Sequence, residues 1–119
     1  MDWKTLQEYL SSRPHAVEQY PFRPETAVHK VGGKIFAITY WEASPLTIAL
    51  KCDPDQAIAL RHEFAAIRPG YHLNKRHWNT VILDGTVPTD FVYDLIEHSY
   101  ELVYKSLTKA IRESLSNTP

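Results

Sequence analysis

The sequence predicts an α+β fold, a two-layer sandwich with helices packed on a mainly antiparallel sheet. Its element order reads α-β-β-β-α-β-β-α. Three observations carry this. Two β-prone runs flank Gly32-Gly33, a third run alternates apolar and polar residues, and two amphipathic stretches bear helix-start signals. Strands joined by a tight turn pair antiparallel, and helices that follow them must cover an apolar face.

The elements follow in order. Trp3, Leu6, Tyr9 and Leu10 recur at helical spacing. Asp2 can cap and Pro14 bars continuation, so a first helix is expected near 2–12. Pro14 to Pro24 holds three prolines and reads as an irregular connector. Residues 26–31 and 34–40 form the hairpin, because glycine accepts the positive φ angles of a type I′ turn. Trp41 to Pro45 is a second turn. Leu46, Ile48 and Leu50 alternate with Thr47, Ala49 and Lys51, a strand with one buried face.

Asp53-Pro54-Asp55-Gln56 opens the middle helix as cap, first-turn proline and capping-box partner. Ala57, Ile58, Leu60, Phe64 and Ile67 make its buried stripe, and Pro69-Gly70 is expected to stop it. Tyr71 to Leu83 reads as extended, with a strand at 79–83. Asp84-Gly85 turns the chain, and Pro88 opens one last helix. Its apolar side holds Phe91, Val92, Leu95, Ile96, Leu102, Val103, Leu107, Ala110 and Ile111. Asp90, Asp94, Glu97 and Glu101 precede Lys105, Lys109 and Arg112, the order that complements a helix dipole. The tail at about 115–119 is expected to fray.

A chain of 119 residues builds one core, so a single domain over 1–119 is expected. Apolar residues are 44% and charged residues 23%, which excludes a disordered or collagen-like chain. Cys52 is the one cysteine, which excludes an internal disulfide and favours a reducing cytoplasm. The absence of a signal-peptide pattern or a long apolar run agrees with a cytoplasmic protein off the membrane.

The net charge of −1 hides an uneven distribution. From Phe64 through Leu83 there is no Asp or Glu, whereas six acids face three bases from Asp84 onward. The segment 68–79 combines Arg68, Lys75 and Arg76 with Tyr71, His72, Asn74, His77, Trp78 and Asn79. Cations pair with phosphates, aromatic rings stack on bases, and amides donate to base edges. With Lys51 this segment is a candidate nucleic-acid or anion surface. The competing reading is a solvated strand and turn anchored by Trp78. Three cations alone make a weak, salt-sensitive contact, which a dimer would double.

Other chemistry is poorly represented. His72 and His77 lack a coordination set, so no metal or cofactor is expected. His15, His29, His62 and His98 are scattered and read as surface or capping histidines. Cys52 precedes a helix start, yet Asp53 and Asp55 oppose a thiolate, so a structural cysteine is expected. Gly32-Gly33 lacks a phosphate-loop context, and Ser99 and Ser106 lack a nucleophile elbow. Tyr93, Tyr100 and Tyr104 read as packing residues. No catalytic constellation emerges, and a non-enzymatic protein is expected.

Tyr20-Pro21-Phe22, Gly33-Lys34-Ile35-Phe36-Ala37, Leu50-Lys51-Cys52-Asp53-Pro54, the run Pro69-Gly70-Tyr71-His72-Leu73-Asn74-Lys75-Arg76-His77-Trp78-Asn79-Thr80, Leu83-Asp84-Gly85 and Ser99-Tyr100-Glu101-Leu102-Val103 together resemble the MmcQ/YjbR family. The likeness runs from about Tyr20 to Leu107. It implies a small bacterial protein, with a fold similar to CyaY-like and secretion-chaperone-like α/β proteins. It also implies a DNA-binding role through a double-wing arrangement. Frataxin-type iron binding uses an acidic ridge, and Asp2, Glu8, Glu25 and Glu42 do not supply one. The functional expectation is therefore a binding module for DNA through 68–79, as a monomer or weak homodimer. The alternative is a protein-interaction or chaperone-like module acting through the sheet or a dimer face.

Overall fold

A computed structural model describes residues 1–117. Ten elements appear in chain order: α1 (Trp3–Ser11), β1 (Val17–Gln19), β2 (Thr26–Val31), β3 (Lys34–Tyr40), β4 (Thr47–Lys51), α2 (Pro54–Glu63), β5 (Ile67–Pro69), β6 (Trp78–Ile82), α3 (Thr89–Ser106) and α4 (Lys109–Ser116). One antiparallel sheet has the order β1-β2-β3-β4-β6-β5. The α+β reading of the sequence holds, with helices packed on the sheet.

Local signals act where expected. Asp2 caps α1 by accepting from Thr5 N at 2.8 Å, and Asp53 caps α2 by accepting from Gln56 N at 3.2 Å. Gly32 and Gly33 turn the β2–β3 hairpin with φ of +57° and +83°. The register pairs Val31 with Lys34 and Thr26 with Tyr40, with a bulge between His29 and Lys30.

Several expectations need correction. Residues 17–19 of the proline-rich connector form edge strand β1 on β2. The middle helix ends at Glu63, not at Pro69. Phe64 is extended there, Ile67 instead begins β5, and Ile58 is 52% exposed. Residues 71–77 are a loop rather than a strand. The last helix breaks at Leu107, whose ψ of 149° leaves helical space. Thr108 then caps α4 by accepting from Ile111 N at 3.2 Å. Ala110 and Ile111 are exposed on that second helix. The helix runs to Ser116 within the tail expected to fray, and residues 118–119 lie outside the described residues.

Strand alternation divides the core. On one face Phe36, Ile48, Leu50, Ile67 and Val81 meet Leu6 and Leu10 of α1, Ala57 and Leu60 of α2, and Val92, Ile96 and Val103 of α3. The other face carries a small cluster of Val28, Ile38 and Ala49. β4 is thus buried on both faces at Ala49, not on one. Leu73 and Trp78 pack on that small cluster. The segment after β5 therefore folds across the sheet face opposite the helices.

Candidate binding surface

The β5–β6 loop is built from its own backbone. Gly70 N donates to Trp78 O at 2.9 Å, and Trp78 N donates to Asn74 O at 2.9 Å. A Cβ at Gly70 would stand 2.9 Å from Trp78 Cβ and 3.1 Å from Trp78 O, so this close approach needs glycine. The Asn74 side-chain oxygen accepts from Arg76 N at 2.9 Å, an Asx turn. Cys52 N donates to His77 O at 2.8 Å and moors the loop to the end of β4. Leu73 and Trp78 are half-buried anchors, and the charged residues between them stay outside.

This mooring sets several cationic residues at one end of the sheet. β4 ends at Lys51, whose cross-strand partner is Trp78. Ala37 pairs with Leu50, so the β2–β3 turn with Lys34 projects from the same end of the sheet. Lys75 and Arg76 are exposed there, and Lys75 Nζ reaches Gly70 O at 3.4 Å. Arg61 of α2 donates to Lys75 O at 3.1 Å and to Ala57 O at 3.1 Å. Among the described residues, none of Lys51, Arg61, Lys75 and Arg76 forms an ion pair. Asp53 lies beside them, but its carboxylate is engaged in capping α2. Arg61 was invisible as a member, because sequence distance hides a contact made between a helix and a loop.

The other candidates separate from this group. Arg68 donates to Ala65 O at 3.4 Å and shares a cleft with Glu63 and Asp84. Tyr71 and His72 turn to a different cleft. Their rings lie 3.9 Å apart, with His72 held at a φ of +58°. That open cleft, of about 500 Å³, lies over the small apolar cluster. Phe22, Arg23 and Glu25 line it with Thr26, Ile38, Tyr40, Tyr71, His72 and Leu73. A second open cleft of about 420 Å³ continues past Phe22 to Tyr20 and Trp41. Phe22 and Tyr71 are each 66% exposed. The sequence signal for Phe22 was a proline-flanked aromatic in a connector, which periodicity does not pick out.

Reactive groups elsewhere are held in structural roles. His29 is fully buried, which corrects its reading as a surface histidine. Glu18 Oε1 and Ser11 Oγ both meet its Nε2, at 3.1 and 3.2 Å, so no serine–histidine–acid relay is formed. Burial pushes the Cys52 thiol up to about 11, with Asp53 adding to the rise. Ser99 donates to Phe36 O at 2.6 Å and accepts from Lys51 N at 2.9 Å. Tyr100 donates to Pro14 O at 2.6 Å. Among the described residues, no group of three or more His, Cys, Asp and Glu is placed to hold a metal ion. None of the described helices is long and apolar enough to cross a membrane.

Known proteins are similar to this chain in sequence and shape. The chain is 38% identical over 90 residues to the uncharacterized protein YbdF of Escherichia coli O157:H7, covering 76% of this chain and 74% of that protein. It is 32% identical over 110 residues to the uncharacterized protein YjbR of Escherichia coli K12, covering 92% and 93%. The crystal structure of the Deinococcus radiodurans protein DR2400, of domain DUF419, superposes with a TM-score of 0.91 at 42% identity. That match covers 97% of this chain and 88% of that one. The YjbR family model matches residues 11–102, a span from the end of α1 well into α3 that takes in the whole sheet and the loop over it, and the chain belongs to the YjbR family.

Proposed function

We propose that this protein is a non-enzymatic module that binds DNA through the end of its sheet bearing Lys51, Arg61, Lys75 and Arg76. One observation carries the reading. The β5–β6 loop is moored by backbone hydrogen bonds at the end of the sheet where Lys51 lies, Arg61 donates to Lys75 O, and none of the four cations forms an ion pair among the described residues. Unpaired cations on a fixed loop release counterions when phosphates replace them. The non-enzymatic part draws on Cys52, raised and buried, and on His29, whose two polar contacts share one nitrogen.

Four phosphate contacts would give log K a slope of roughly −3 to −4 against log salt. The test is fluorescence anisotropy with a short labelled DNA across a salt series. Lys75→Glu/Arg76→Glu is expected to weaken binding at low salt and to flatten the slope by about two. Both side chains are exposed, so the fold should survive the change. Unchanged affinity and slope would overturn the proposal.

A further inference from the structure

We infer that the DNA is single-stranded where it meets this protein, and that the cleft between Phe22 and Tyr71 takes an unpaired base. The inference rests on the reading of the basic end given above and names its substrate class.

Among the described residues, Phe22 and Tyr71 are the two most exposed large hydrophobic side chains, and both line one cleft. Exposed rings bounding a concave site can serve as stacking platforms for any base, because every base has a π-face. The floor is apolar, from Ile38 and Leu73. The cleft volume of about 500 Å³ is in the range of small-ligand sites. His72, a non-glycine residue in left-handed space, stands in the wall with its ring against Tyr71. Charge divides the work. At the rim Arg23 is paired with Glu25 at 3.8 Å, which leaves the cleft close to neutral. The unpaired cations lie four and five residues along the same loop, at Lys75 and Arg76, a reach of at most ~14–18 Å of chain. A strand crossing the loop would set phosphates on those cations and a base in the cleft. A duplex keeps its bases in the stack and could use only the cations.

The experiment compares a labelled 12-nucleotide oligo(dT) with a duplex of about 12 base pairs, using the full chain and the variants Phe22→Ala, Tyr71→Ala and Lys75→Glu/Arg76→Glu. The native protein is expected to prefer oligo(dT). Each aromatic variant should lose roughly fivefold or more in oligo(dT) affinity while its duplex binding stays unchanged. Equal loss on both probes, or no loss on either, would overturn the inference and leave the basic end as the DNA contact. Absence of binding to both probes at low salt would overturn the reading of the basic end itself. If the aromatic variants change only self-association in sedimentation, the rings serve a contact between two copies, and the inference falls.

Discussion

His29 has no exposed surface, and its ring is satisfied on one side only. Nε2 meets Glu18 and Ser11, while Nδ1 has no partner among the described residues. The geometry assigns the proton of the neutral ring to Nε2, facing the carboxylate. A second proton would sit on Nδ1 as a buried donor with nothing to receive it. Burial therefore lowers the pKa from 6.5, and the Glu18 carboxylate opposes this in part. The sign follows: the unfolded chain takes up a proton more readily than the folded one, so stability drops as pH falls below about 6.5 and levels off above it. Urea midpoints measured on either side of that pH should show the drop, and His29→Gln should reduce its slope. A slope that the variant leaves intact would remove His29 as the cause. The sequence did not expose this residue. Its strand, Thr26-Ala27-Val28-His29-Lys30-Val31, was legible, but edge strand β1 that supplies Glu18 was not. Three residues between prolines carry too little periodicity to declare a strand, and pairing with β2 decides it.

At the scale of elements, the β2–β3 hairpin joins local turn chemistry to packing. Gly32 has positive φ, and a Cβ there would lie 2.6 and 2.9 Å from the Leu107 methyl groups. Gly33 also has positive φ, but a Cβ there meets nothing within 4 Å. Gly33→Ala should cost about 1 kcal/mol for handedness alone. Gly32→Ala should add ~1–3 kcal/mol, because Leu107 must move. Thermal unfolding of the two variants measures the difference, and equal losses would show that Leu107 yields freely. The turn was readable because Gly-Gly between β-prone runs is a local signal. The Leu107 contact was not, since the sequence suggested one uninterrupted helix. Apolar spacing continues smoothly from Val103 through Ile111 and conceals the break. What breaks it is Thr108, which caps a new helix, with Leu107 turned onto the hairpin. The middle helix shows the reverse error. Ile67 continues a helical stripe, yet pairing with Val81 takes it into the sheet.

Across the whole molecule, Ser99 fastens the two layers. Ala37 pairs with Leu50, so Phe36 and Lys51 would form the next rung of the β3–β4 ladder. The Ser99 hydroxyl occupies that rung, bonded to Phe36 O and Lys51 N. It satisfies two backbone groups and ties α3 to both strands. Ser99→Ala would leave Phe36 O unpaired in a buried place and Lys51 N unpaired in a partly buried one, and should destabilise the fold by about 2 kcal/mol in urea titration. A loss under a few tenths would mean that β3 and β4 close the rung themselves. The same rung sets where Lys51 leaves the sheet, and so connects the core to the basic end.

By itself, the sequence determined the α+β class, the hairpin, the capped starts of α1 and α2, and the presence of a basic, aromatic run. Each of these depends on residues within one turn or one strand of each other. The tertiary structure alone decided how that run is divided. Arg68 shares one cleft with Glu63 and Asp84, Tyr71 and His72 line another with Phe22, and the loop bearing Lys75 and Arg76 meets Arg61 near the sheet end that carries Lys51. Which face a residue meets depends on register and on the path of the loop across the sheet. Those are set by contacts between residues far apart in sequence, which no local pattern encodes.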